Sequence, residues 1–181
     1  MKNIKEIFQG PKMTTYSIAL LGVLMALRLV VGRFATITLS RDLHISLAFV
    51  VTVMIAYYFG PLWTAGVNGI LNLLVFFIFP TGSPFFIGYT LSAVVGGLIY
   101  GLFFYPQRVS ILRAIIAVSL VTIVVNLWMN ALWSHLLYNN PFWFVFSARL
   151  GKEAIQLVPQ IIISYLVLKV ISRLKIESKL R

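Results

Sequence analysis

The chain contains no cysteine. Disulfide cross-links, thiolate nucleophiles and cysteine metal sites are therefore excluded, although this says little about compartment. Acidic and imidazole side chains are almost as scarce. Four Asp and Glu and two His serve 181 residues, and only Asp42 and His44 lie close together. Two such residues are too few for a metal site, and no cofactor is expected. The serine of "TGSPF" (81–85) has no G-x-S-x-G frame and no evident base. No G-x-x-x-x-G-K-S/T run occurs, so ATP cannot be held by a P-loop. Enzyme chemistry is poorly supported. Uphill transport would need energy from another subunit or an ion gradient.

Charge in general is rare. Only 10% of the residues are charged and 60% are hydrophobic, with a mean hydropathy of +0.96. Soluble domains carry about 25% charge, so lipid has to cover much of this surface. About six apolar stretches are long enough, or nearly so, for the ~20 residues that cross a bilayer: 14–34, 43–60, 61–79, 85–105, 111–137 and 144–171. Lipid demands that backbone amides be satisfied within each segment, which favours helices. Runs such as "AVVGGLIYGLFFY" lack the alternation of barrel strands. Breakers separate the stretches: "FGP" (59–61), "FPTGSP" (79–84), "YPQR" (105–108) and "YNNP" (138–141). The expected fold is an all-α integral membrane protein, a compact six-helix bundle forming one membrane domain over 1–181. The first stretch follows Lys2, Lys5 and Lys12 but is long, holds Arg28 and lacks a clear cleavage site, so it reads as a mature helix rather than a signal peptide.

With six spans, most cations fall on one side: Lys2, Lys5, Lys12, Arg108, Arg113, Lys169, Arg173, Lys175, Lys179 and Arg181. The positive-inside rule makes that side, with both termini, cytoplasmic. The net charge of +11 is then mainly a topology signal, and no nucleic-acid partner is expected.

Five cations remain on the outer half, against Asp42 and Glu153: Arg28, Arg33, Arg41, Arg149 and Lys152. A cation inside a span costs about 2.5 kcal/mol or more unless it faces a cavity or partner. Two readings stay open for Arg28, Arg33 and Arg41: snorkelling to headgroups, or a cationic pocket for an anionic solute. Arg28 lies ~21 Å above a helix start near Thr14, at outer-half depth. Arg149, Lys152, Glu153 and Gln156 share one helical face. An Arg149–Glu153 ion pair explains that face without a ligand, but leaves Lys152 without a partner.

Thr122, Asn126, Asn130 and Ser134 recur every four residues, with Trp133 beside their outer end. Membrane asparagines serve as glue between helices. Two amides with an indole also suit a flat polar ring, the amides matching its edge and the indole stacking on its face. Asn68 and Asn72 lie nearer mid-span and read as structural. Ala19, Gly22 and Ala26 form a small-residue face suited to close helix approach.

Several segments together resemble the S components of energy-coupling factor (ECF) vitamin transporters, specifically the folate family: "ALRLVVGRF" (26–34), "YYFGPLWTAGVNGILNLL" (57–74), "FFIGYTLSAVVGGLIYGLFFY" (85–105), "NLWMNALW" (126–133) and "RLGKEAIQLVPQ" (149–160). They run in family order over nearly the whole chain. The resemblance implies a vitamin-binding subunit in a prokaryotic plasma membrane, working with a transmembrane coupling protein (T component) and two ATPase subunits. Folate is the implied vitamin. Its pterin would stack among Phe86, Tyr89 or Trp133 with Asn126 and Asn130 at its edge, and its carboxylates would meet Arg28, Arg33, Arg149 or Lys152. Ala19, Gly22 and Ala26 would dock the coupling protein, although the family's A-x-x-x-A stands here as Gly22-x-x-x-Ala26. The loop from Arg33 to His44, with Arg41 and Asp42, would gate the pocket. A small neutral vitamin (pyridoxine or hydroxymethylpyrimidine) and a membrane scaffold without a ligand are the alternatives.

Overall fold

The computed structural model describes residues 10–34, 36–40, 43–79, 84–105 and 109–174. In chain order the elements are α1 (Thr15–Phe34), a hairpin of β1 (Thr36–Ser40) and β2 (Leu43–Ser46), α2 (Ala48–Ile78), α3 (Ile87–Phe104), α4 (Ile111–Leu120), a π-helical segment (Val121–Met129), α5 (Asn130–Tyr138) and α6 (Phe142–Ile171). The π-helical segment joins α4 to α5 in one continuous helical stretch, Ile111–Tyr138. That stretch and α1, α2, α3 and α6 are long and apolar enough to cross a membrane. Their outward faces carry large apolar side chains: Phe77, Trp143 and Phe144 are each 70% exposed. Water would not leave such a surface monomeric. The protein is a multi-pass membrane protein.

α2 is two legs rather than one rod. Gly60 breaks it with φ +81° and ψ −177°, a conformation that only glycine adopts without strain, and Pro61 follows with no amide to donate. The first leg starts beside α1, where Ala48 meets Gly32, and ends where Phe59 and Trp63 meet Gly10 ahead of α1. The second leg returns, so that Asn72 and Phe79 flank Arg28 and Arg33 of α1. The "FGP" signal is thus a tight reversal.

α3 packs closely along the second leg because both helices present glycines there. A Cβ on Gly97 would fall 2.7 Å from the Thr64 carbonyl oxygen, and one on Gly69 would fall 2.9 Å from Val94. The core gathers behind this seam, around Val53, Ile55 and Phe59 of α2, Tyr100 and Phe104 of α3, Val118 of α4 and Leu168 of α6. α1 begins at a side-chain cap in which Thr14 Oγ1 accepts from the Ser17 amide at 3.2 Å. The "YNNP" signal closes α5 with Asn139 in the left-handed region (φ +54°) and sets Pro141 before α6.

Two features depart from the sequence reading. The stretch 43–60 was expected as helix throughout, but Leu43–Ser46 is a strand and the helix begins at Ala48. The segment expected as an irregular gating loop is an antiparallel hairpin with Thr36 opposite Ser46 and Thr38 opposite His44, irregular between Thr38 and Ser40. "TITLS" alternates polar and apolar residues, a strand pattern that its neighbouring apolar runs hide. The all-α class therefore gains one two-stranded hairpin. Arg41 and Asp42, assigned to the gate, lie outside the described residues.

Candidate functional site

At the hairpin end of the bundle the helices enclose a branched hollow. Its central lobe, about 350 Å³, is bounded by Arg28, Asn68, Asn72, Tyr89, Asn126 and Asn130 among others. A second lobe of about 260 Å³ runs between α1 and α2 past Arg28, Arg33, Asn72 and Phe79. A third, about 280 Å³, is walled by Asn72, Phe76, Phe85, Phe86, Tyr89 and Tyr138. Asn72 borders all three, Arg28 the first two, and Tyr89 the first and third.

The polar lining is built from fixed amides. Asn68 Nδ2 donates to the Ala93 carbonyl at 3.3 Å, and Asn72 Oδ1 accepts from Thr90 Oγ1 at 3.0 Å. Both bonds tie the second leg of α2 to α3, in keeping with the structural reading of these residues. Both asparagines also border the hollow, which the sequence reading did not expect. Asn126 Nδ2 donates to Glu153 Oε2 on α6 at 2.9 Å. The Asn130 Oδ1 and Arg28 Nε atoms are buried without a hydrogen-bond partner. Asn68 Oδ1 is buried and unpartnered as well. Buried polar groups are almost always satisfied, so three such atoms beside one hollow mark a place where polar partners are wanted. Arg28 does not reach outward as a snorkelling side chain; it is partly buried and faces the hollow.

Asn126 and Asn130 both border the central lobe although Asn126 lies in the π-helical segment and Asn130 opens α5. A repeat of four lies between the 3.6 residues of an α-turn and the wider π-turn. The polar stripe Thr122–Asn126–Asn130–Ser134 thus stays on one face through the change of helix type.

The remaining candidates occupy distinct places. Phe86 and Tyr89 line the aromatic third lobe, with ring centres 6.2 Å apart. Trp133 stands behind Phe86, with ring centres 5.6 Å apart, and its indole N–H donates to Ser92 Oγ at 2.9 Å. Gly88 makes room for it, since a Cβ there would fall 2.6 Å from the indole. Arg33 is exposed at the end of α1, its guanidinium 5.3 Å from the Phe79 ring centre. Arg149 is partly buried on α6 and does not border the hollow's three lobes. Lys152, also partly buried, does not border them either. The Glu153 carboxylate, expected as an alternative to pair with Arg149, is turned to Asn126 instead, because α6 rolls Glu153 and Gln156 into the bundle where both are buried. Ala19, Gly22 and Ala26 form an exposed face of α1, and nothing stands within 4 Å of a Cβ built on Gly22.

The profile described as "ECF transporter, substrate-specific component" matches residues 16–168. The chain belongs to this family. A "Folate transporter FolT" of Clostridium novyi (strain NT) is 38% identical over 156 residues, 86% of this chain and 90% of the relative. Another protein of that name, from Leuconostoc mesenteroides, is 34% identical and covers 93% of this chain and 92% of its own length. Among solved structures, one described as "Crystal structure of FolT bound with folic acid" superposes with a TM-score of 0.76 at 34% identity, covering 86% of this chain and 92% of that one.

Proposed function

We propose that this S component captures folate from outside the cell and delivers it to a transmembrane coupling protein served by two ATPase subunits. The two legs of α2, counted separately, bring the crossings to six. Both termini then lie in the cytoplasm of a prokaryotic cell, with the hairpin end of the bundle facing outward. The cations near the other end, Lys12, Arg113, Lys169 and Arg173, support this orientation under the positive-inside rule.

One observation carries the ligand assignment: a hollow lined by amides shares wall residues with both an aromatic lobe and a lobe flanked by Arg28 and Arg33. Folate has the matching parts, a flat polar pterin, an aryl ring and a dicarboxylate tail. No single lobe would hold all three, and the branching lets them separate. In this reading Phe86 and Tyr89 pack against the rings, Asn126 and Asn130 meet the pterin edge, Arg28 and Arg33 meet the carboxylates, and Arg149 and Lys152 add attraction from outside the lobes. Charge-assisted contacts to a carboxylate are about twice as strong as neutral ones. Trp133 acts through Phe86, holding that ring from behind, and the hairpin covers the entrance.

Titration of the detergent-purified chain with folic acid and with pyridoxine, followed by calorimetry, tests this. Saturable one-to-one binding of folic acid alone supports the proposal. Binding of pyridoxine alone replaces the ligand, and binding of neither withdraws it.

A further inference from the structure

Glu153 has no role in the folate reading above, yet it is the one acidic side chain among the described residues and is 7% exposed. Burying a carboxylate costs several kcal/mol unless it is paired. Here it meets the neutral amide of Asn126 rather than a cation. For filling space between α6 and the π-helical segment, an apolar side chain would do better. What a carboxylate supplies is one-sidedness: ionised, it accepts hydrogen bonds and cannot donate them. Asn126 therefore has to turn Nδ2 toward Glu153, and its Oδ1 is left to the hollow that Asn126 borders. The neighbouring amides are fixed differently. Asn72 commits its oxygen to Thr90, whereas Asn68 and Asn130 each hold a buried oxygen with no hydrogen-bond partner. Arg28 offers only donors.

We infer that Glu153 is a positioning residue that locks Asn126 as a hydrogen-bond acceptor, so that the ligand edge seated there must carry an N–H. Resting on the folate reading, this assigns the 2-amino side of the pterin to Asn126. A site with a committed acceptor discriminates strongly against a ligand lacking the matching donor, because the acceptor is then left buried and unpaired.

The test is a cycle of dissociation constants on the full chain in detergent, using folic acid and its 2-desamino-2-methyl analogue. The wild type is expected to favour folic acid by tenfold or more. E153Q, which can donate as well as accept, frees Asn126 to turn over and should bring that preference to within about threefold. The exchanged pair N126D/E153Q keeps size and net charge and restores an acceptor-only group facing the hollow, so it should recover the preference. A general packing role for Glu153 would not produce that recovery. An unchanged preference in E153Q, no recovery in the exchanged pair, or a wild type indifferent to the 2-amino group would each overturn the inference while leaving folate binding intact. A wild type that binds neither compound would remove the folate reading itself.

Discussion

Gly101 of α3 lies against the Gly60–Pro61 reversal of α2, so close that a Cβ on it would fall 2.6 Å from the Pro61 nitrogen. This contact fixes the angle at which α3 follows the second leg, and with it the distance between the amides of α2 and the aromatic wall of α3. Alanine at this position has to push a backbone rather than a flexible side chain. Gly101→Ala should destabilise by about 1–3 kcal/mol, lowering the thermal midpoint in detergent by several degrees. Gly22→Ala is the matched comparison: with open space around it, it should leave the midpoint unchanged or slightly raised. Equal midpoints for both variants would show that the seam tolerates an extra methyl group.

Arg28 borders both the central and the α1–α2 lobes and keeps a buried, unpaired Nε. In the ligand-free protein this atom is a cost; a bound anion would turn it into a charge-assisted contact. Arg28→Ala should weaken folic acid binding by tens-fold or more, measured by tryptophan fluorescence titration. Arg28→Lys should recover only part of the loss, because an ammonium lacks the planar fork. An affinity unchanged in Arg28→Ala would leave the guanidinium a structural passenger.

The parts of this molecule that follow from local chemistry could be read along the chain. Scarce charge and long apolar runs gave the membrane class, and the "FGP" and "YNNP" breakers gave two of the reversals. The four-residue stripe on the fifth stretch brought Asn126 and Asn130 together because it depends only on helix periodicity. The hairpin was hidden because Thr36–Ser46 is short and sits between two far stronger helical signals. Asn68 and Asn72 carried a usable signal, the same four-residue spacing, but their mid-span depth pointed to structure, and each turned out to use one end of its amide for that. The partners of Glu153 and Trp133 were beyond reach. Which neighbour a side chain meets depends on how α6 and α5 rotate against the bundle, and neither hydropathy nor spacing encodes that rotation.

Arg149 lies partly buried on α6, and as a cation it acts on a charged tail rather than on a ring. Arg149→Ala should therefore weaken folic acid binding by tens-fold while changing the affinity for pteroic acid, which lacks the glutamyl group, by less than about threefold. Calorimetric titration of both compounds checks this. Equal losses for the two would move Arg149 from the tail to the ring end of the site.

The α1 face of Ala19, Gly22 and Ala26 separates binding from transport. It is exposed and faces away from the hollow, so enlarging it should not disturb the ligand. Close helix contact through small residues is lost when one of them becomes bulky, and Gly22 has open space around it beside the exposed apolar Val23. Gly22→Leu is expected to bind folic acid with wild-type affinity in detergent. In cells that also carry the coupling protein and ATPases, it should lose most folate uptake and fail to co-purify with them. Retained uptake would place the docking surface on another helix, whereas a parallel loss of affinity would mean that α1 shapes the pocket through its outer face as well.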